Sequence, residues 1–381
     1  MMLIPQLGLY IHIPWCLKKC LYCDFNTYQI KKNTKITIHY IKHMIHDLIN
    51  DTYLIKNRII KTIFIGGGTP SLLNYKLLKI LMNNIKNIIN IDNNIEFTIE
   101  INPEFITIDT VIKYTKIGIN RISIGVQSFN NKILKSLGRT HSSITAIKII
   151  KQIKKNTKLN INIDLMYGLP NQTISQCIID LKQAISLKPN HISWYQLNIE
   201  KNTIFYYQKP SIPQEEKIWK MYTKGNKLLH KNNYKKYEIS SYTKNNSPCY
   251  HNLNYWKFGD YIGIGCGSYG KFTQITGKII RTIKQKRIYD YINNKKQYLY
   301  KIYNISNQDR PFEYFINTFR LLKPINKKHF YQSTKIKPKN IQHIIKKSIL
   351  KKYLIETENY WSILPYGRIF LNNLLSYFIH I

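Results

Sequence analysis

An α/β chain folded as a six-stranded partial (β/α) barrel of TIM type, with a smaller α-rich C-terminal domain, is what three features of this 381-residue sequence predict. Short runs rich in Ile and Phe alternate six times with longer stretches of helical period, as parallel strands joined by helical crossovers do. The unusual polar residues fall at the ends of those runs, where (β/α) barrels gather their reactive groups. Beyond residue 205 the alternation stops and gives way to an irregular, aromatic segment and then to short helices.

The first strand, Leu7 to Ile13, runs into a loop with Cys16, Cys20 and Cys23. A helical stretch over Thr37 to Asp51 leads to a second strand, Lys61 to Ile65, which ends in Gly66-Gly67-Gly68-Thr69-Pro70. Helix Leu72 to Ile89 precedes strand Glu96 to Ile99, with Glu100 at its tip. Helix Ile108 to Tyr114 precedes strand Arg121 to Gly125, which Gln127 closes. Helix Ser142 to Lys154 precedes strand Leu159 to Met166, with Asp164 near its end, and helix Ser175 to Ser186 precedes strand His191 to Leu197. Five of the six strands thus carry a distinctive group at the carboxyl end. A doubly wound open sheet would bind its ligand at one switch point and leave several of these positions idle.

Three units are expected. Residues 1–205 form the barrel. Residues 206–305 form a connecting region, with a helix over Glu215 to Asn232 and an irregular, glycine-rich stretch over Tyr237 to Gly270. Residues 306–381 form a small accessory domain in which Tyr360 to Gly367 makes a strand or hairpin. No internal repeat is evident.

With 44% hydrophobic and 13% aromatic residues the chain buries a substantial core and is not disordered. Its net charge of +38 comes from lysines scattered singly or in pairs, without a basic block. That distribution argues against nucleic acid as a partner and for attraction to anionic ligands such as propionates, or to an acidic membrane surface. Cys177, Cys249 and Cys266 lie far apart with no disulfide framework, which fits a reducing compartment. No run of 18 uncharged apolar residues occurs, and Met1 to Gly8 lacks a positive n-region. A cytoplasmic protein is expected, with membrane contact confined to the periphery of the inner membrane.

Three thiols within eight residues are an odd set: a closed zinc site wants four donors and a disulfide two. The spacing C-x3-C-x2-C lets one loop hold three corners of a [4Fe-4S] cubane and leaves one iron free. The competing readings are a zinc site completed by His12 or Asp24, and three unrelated cysteines. The glycine triplet opposite this loop offers backbone N–H and C=O groups that larger side chains would block. Glu100, Gln127, Arg139 and Asp164 are ordinary alone, but together they suit a ribose and an amino-acid carboxylate. His251, in Pro248-Cys249-Tyr250-His251-Asn252-Leu253-Asn254-Tyr255-Trp256, reads first as a satisfied core histidine and second as an axial haem ligand with aromatic walls. Gly263 to Gly270 follows no βαβ unit, so dinucleotide binding is rejected there.

The cysteine spacing resembles that of radical S-adenosylmethionine (SAM) proteins. Together with Gly66 to Pro70, Thr98-Ile99-Glu100, Gly125-Val126-Gln127, Leu137-Gly138-Arg139, Asp164 to Pro170, Ser193-Trp194-Tyr195 and His251 to Trp256, it makes the chain resemble the oxygen-independent coproporphyrinogen oxidase-like family. Within that family it is most similar to the HemW branch of haem chaperones, over nearly its whole length. The resemblance implies a radical SAM partial barrel with cluster ligation by Cys16, Cys20 and Cys23. It implies SAM contacts from Tyr10, Tyr22, Gly67, Gly68, Thr69, Glu100, Gln127, Arg139 and Asp164, and haem ligation by His251.

Two departures from the oxidase matter. Asp24-Phe25 follow Cys23 where the oxidase has a further cysteine, and only fifteen residues precede Cys16 where it has a long extension. The expected function is therefore haem binding and delivery to respiratory haem proteins at the membrane, with an exchangeable SAM, no turnover required, and a homodimer among the implied assemblies. The alternative is a radical enzyme acting on a porphyrinogen, in which the cofactor carries the hard chemistry.

Overall fold

The computed structural model describes residues 2–30, 37–294 and 297–379, so the last two residues of the expected accessory domain lie outside it. All six expected strands form: β1 (Leu7–Ile13), β2 (Ile60–Gly67), β3 (Ile91–Ile101), β4 (Arg121–Gln127), β5 (Asn160–Tyr167) and β6 (His191–Gln196). They lie side by side in chain order and pair parallel throughout. Between them run α1 (Ile38–Ile55), α2 (Tyr75–Ile88), α3 (Ile108–Thr115), α4 (Ser143–Asn156) and α5 (Ile174–Ser186).

Local chemistry sets the helix boundaries. Pro70 starts a separate 3₁₀ turn, and the Asn74 side chain accepts the Lys76 N–H, so α2 begins at Tyr75 rather than Leu72. Its buried Leu78, Leu81, Met82 and Ile85 follow the spacing of one helical face. Thr173 and Gln176 form a reciprocal capping box, which opens α5 at Ile174.

The expected irregular stretch is corrected by the structure. After α6 (Glu215–Lys231) come the short strands β7 (Lys235–Lys236) and β8 (Ser241–Thr243), helix α7 (Tyr250–Trp256), and four more strands. These are β9 (Asp260–Ile264), β10 (Tyr269–Thr273), β11 (Ile279–Lys284) and β12 (Leu299–Asn304). The result is one twelve-stranded sheet in the order β12-β11-β10-β9-β1-β2-β3-β4-β5-β6-β8-β7, with β9 parallel to β1 and β8 antiparallel to β6.

Ionic side chains inside that added edge hid it from a hydrophobic pattern. Asp260 is fully buried against Arg58 at 2.8 Å and Lys271 at 2.9 Å. Lys284 meets Asp51 of α1 at 2.7 Å. Buried pairs of this kind gain little stability overall but fix register, because breaking one strands the other charge.

The C-terminal part has its own core around Phe315, Phe319, Phe330, Trp361 and Phe378, joined by Met2 and Phe258. Its helices, among them α8 (Arg310–Thr318), α9 (Lys327–Thr334) and α10 (Gln342–Leu350), pack with a three-stranded sheet. Tyr360–Ile363 is the central strand of that sheet, as expected of it. No helix among the described residues is long and apolar enough to cross a membrane.

Candidate functional site

Along the six central strands side chains alternate between two environments. Leu9, Ile11, Ile63, Ile65, Phe97, Ile99, Ile122, Ile124, Ile161, Ile163 and Ile192 join the main apolar core. Their neighbours Tyr10, Phe64, Thr98, Glu100, Arg121, Ser123, Asn162, Asp164, His191 and Ser193 all line one cavity of about 550 Å³. A barrel interior is ordinarily filled with branched apolar residues. Here it is hollow, with polar side chains set among aromatic ones, and of a size that encloses a whole organic ligand.

The cysteine loop closes the end of β1. Trp15–Cys16 pairs with Tyr28–Gln29, so the loop returns on itself, and the Cys23 N–H donates to the Cys20 carbonyl at 3.2 Å. All three thiols are free, Cys16 buried and the other two partly exposed. Asn26 fastens the loop from the far side by donating to the carbonyls of Cys266 at 3.2 Å and Lys286 at 3.0 Å.

His12 has both ring nitrogens engaged. The Asn26 carbonyl can only accept, so Nε2 donates to it at 2.9 Å and Nδ1 accepts from the Tyr10 hydroxyl at 2.9 Å. His12 is thus spent within the fold, which corrects the reading that made it a zinc ligand. Among the described residues no three His, Cys, Asp or Glu side chains are grouped so as to hold a single metal ion.

Next to the loop sits Arg139, whose Nη1 donates to the Cys20 Sγ at 3.5 Å and whose Nη2 donates to the Gly125 carbonyl. Its Nε is buried without a partner. Tyr22 is close enough to Arg139 and Cys20 for each to perturb its hydroxyl. Gln127 holds φ of +69° at the tip of β4, a conformation rare outside glycine, and its Oε1 accepts from Tyr195 at 2.9 Å. An observed strain of this kind at a strand end is a mark of a positioned side chain.

The glycine triplet is fixed by close backbone approach. Gly68 N–H donates to Ile13 at 2.8 Å, Thr69 N–H to Trp15 at 2.7 Å, and Gly67 N–H to Glu100 Oε2 at 3.2 Å. These N–H groups are therefore committed, and an incoming ammonium would meet carbonyl oxygens instead. Of the expected SAM-contacting residues, Tyr10, Gly67, Glu100 and Asp164 line the cavity. Tyr22, Gly68, Thr69, Gln127 and Arg139 gather around the cysteine loop and the ends of β2 and β4. The two groups meet where Glu100 and Gln127 both neighbour Tyr195.

Two carboxyl groups share the cavity. Asp164 accepts from Ser123 at 2.8 Å and Asn162 at 2.7 Å. Burial, and then the charge of Asp164, pushes Glu100 up to about 8 against the weaker pull of the Gly67 N–H. Glu100 is therefore protonated in the ligand-free fold at neutral pH, whereas the unfolded chain ionises it above its ordinary 4.5. The folded state binds the extra proton between these two values, so stability falls as pH rises from about 4.5 to about 8. Urea unfolding of ligand-free protein at pH 5.5 and 8.5 is expected to show this decline. Glu100→Gln, which keeps the neutral shape, should flatten it by about 2 to 4 kcal/mol, and an unchanged slope in the variant would refute the assignment.

His251 occupies the opposite wall. It is buried, with Nδ1 2.8 Å from the Thr62 hydroxyl and Nε2 2.7 Å from the Tyr255 hydroxyl. Its ring stacks on Phe64 at 5.2 Å. Burial pushes its pKa down to about 3, so the imidazole is neutral. Glu96 holds the start of α7 by accepting the N–H groups of Tyr250 at 3.0 Å and His251 at 2.8 Å. His251 also lines the cavity, so it shares one space with Tyr10, Gly67, Glu100 and Asp164.

Sequence reasoning passed over Asn26, Thr62, Glu96 and Arg121. For Asn26 and Glu96 no local signal exists, because their partners lie 240 to 260 and about 155 residues away. For Thr62 and Arg121 a signal was available in the alternation of apolar and polar positions along β2 and β4.

The radical SAM superfamily profile matches residues 10–183. The chain is 50% identical over 376 residues to the heme chaperone HemW of Buchnera aphidicola subsp. Schizaphis graminum, covering 99% of each chain. It is 42% identical over 379 residues to heme chaperone HemW of Escherichia coli K12, covering 100% of each. Among solved structures, the fold matches coproporphyrinogen III oxidase (HemN) of Escherichia coli, described as a radical SAM enzyme, with a TM-score of 0.82. That match covers 98% of this chain and 90% of the other at 19% identity, and so speaks for the fold alone.

Proposed function

Because this chain belongs to the radical SAM superfamily, and within it to the group of HemW haem chaperones, we propose that it binds haem inside the barrel and delivers it to an acceptor haem protein. The observation that carries the reading is His251, a buried neutral imidazole on the wall of a cavity large enough for an organic cofactor. Ligation through Nε2 would exchange the Tyr255 hydroxyl for iron, while Thr62 kept the ring oriented through Nδ1, as partners behind metal ligands generally do. Phe64 and Trp256 supply apolar and aromatic wall.

Cys16, Cys20 and Cys23 would hold a [4Fe-4S] cluster, and the donor set suits it: three thiols on one loop, with the Arg139 guanidinium at one of them. Arg139 Nε, buried and unpartnered, is a fitting donor for the methionyl carboxylate of SAM, and the Glu100 and Asp164 oxygens are fitting acceptors for its ribose hydroxyls. When bound, the cluster supplies an iron with a free coordination position for SAM. What the protein contributes is orientation: the glycine turn seats the ligand's amino group, Gln127 and Tyr195 close the far side, and Tyr10 and Tyr22 flank it.

In this proposal the acceptor is a respiratory haem protein at the membrane, SAM is exchangeable, and the chaperone acts from the cytoplasmic side. The charge of +38 supports a peripheral encounter with an anionic surface. Phe25, two residues after Cys23 where the oxidase carries a further cysteine, weighs against turnover of a porphyrinogen.

The test is a haem titration of full-length, anaerobically prepared protein, followed by absorbance. His251→Ala is expected to bind haem at least about tenfold more weakly and with a displaced Soret band. Equal affinity and spectrum would remove the ligand assignment, and decarboxylation of coproporphyrinogen with consumption of SAM would favour the enzyme reading instead.

A further inference from the structure

Arg121 opens β4 and points its guanidinium into the cavity, where it is 2% exposed. Among the described residues it has no ion pair and no hydrogen bond, and its Nη1 is buried without a partner. A buried charge left in this state is costly, and folds seldom keep one without a use. Two further residues of the same lining carry an unpartnered polar atom. Thr98, directly across from Arg121 in the β3–β4 ladder, has a buried Oγ1 with no partner, and Trp256 of α7 has a buried Nε1 with none. Three residues of one lining thus hold unmet polar groups, while most of its other polar groups are paired among themselves.

The carboxylate nearest in kind does not account for Arg121. Asp164 spends its oxygens on Ser123 and Asn162, and stands beyond ion-pair distance of the guanidinium. Two other cations of the lining, Lys271 and Arg281, are already matched to Asp260 and Glu313. Arg121 is thus the cation left for an incoming anion, and its planar fork suits a carboxylate. It also lies on the same side of the barrel as His251. Thr98 is its cross-strand neighbour, and Thr62, which holds His251, pairs in the adjacent ladder with Glu96, two residues before Thr98.

We infer that this floor is a carboxylate site, in which Arg121, assisted by Thr98 and the Trp256 indole N–H, receives a propionate of the haem whose iron lies against His251. The inference rests on the haem-binding reading above and adds what orients the macrocycle: iron at His251, and an acid side chain at Arg121 on the same side of the barrel.

The experiment compares haem with haem dimethyl ester, in which both propionates are masked, on full-length cluster-loaded protein. The wild-type chain is expected to bind haem about ten- to a hundredfold more tightly than the ester. Arg121→Met is expected to lower haem affinity to the level of the ester while leaving the ester's own affinity unchanged. Equal binding of the two ligands by the wild type overturns the inference alone, and needs no variant to fold. Discrimination that survives in Arg121→Met overturns it as well. Failure of both ligands to bind the wild type overturns the haem reading itself, and this site with it.

Discussion

Serine in place of Cys16, Cys20 or Cys23 is expected to reduce the iron in oxygen-protected protein from about four atoms per chain to near none. Each of the three thiols would hold a different corner of the cluster. A hydroxyl is a poor substitute for a thiolate toward iron, so removing one of three anchors should cost the whole cluster rather than a third of it. Cys20 is the sharpest case, because Arg139 donates to its sulfur and would be left facing a shorter, harder atom. Cys177→Ser serves as the control: that thiol sits on the buried face of α5, outside the cysteine loop, and its replacement should leave the iron content untouched. Anaerobic iron and sulfide analysis decides the matter. Wild-type iron in the Cys20 and Cys23 variants would end the cluster reading.

The same local character explains why the cluster loop was legible in the sequence and the rest of the site less so. Three cysteines in eight residues need no tertiary knowledge. The six parallel strands were legible too, since each contributes buried Ile or Leu to the core, and helices of clear period separate them. Their boundaries drifted where polar residues turned inward. Ser123, Asn162 and Asp164 interrupt apolar runs that are in truth alternating strands, and the alternation itself announced an inner face that carries polar side chains.

The edge strands β9 to β12 were missed for a different reason. Lys271 and Lys284 are buried there through ion pairs with Asp260, Asp47 and Asp51, none of which can be paired from sequence alone. Gly263 lies where a Cβ would collide with the Tyr269 backbone, and such close packing reads as a loop in one dimension. His251 could be noticed but not weighed, because what decides its role is Thr62, 189 residues earlier in the chain.

Gly68→Ala tests whether the glycine turn and the cysteine loop form one unit. A Cβ at Gly68 would stand 2.3 Å from the Trp15 carbonyl oxygen and 2.7 Å from its carbon, which no side-chain rotation can relieve. That oxygen already accepts the Thr69 N–H at 2.7 Å, and Trp15 is pinned by pairing with Tyr28 and by an edge contact with Tyr40 at 4.5 Å. The backbone must therefore yield at Trp15, the residue before Cys16, and move the first thiol with it. The expected cost is about 3 kcal/mol, the upper part of the range for overpacking, together with loss of most of the iron. Gly277→Ala separates this from a generic glycine effect. It has φ of +89° but nothing within 4 Å of the added Cβ, so it should cost only about 1 kcal/mol from backbone strain and retain full iron. A Gly68→Ala chain with wild-type melting temperature and a full complement of iron would show that the turn does not position the loop, and that Cys16 is held by its pairing with Gln29 alone.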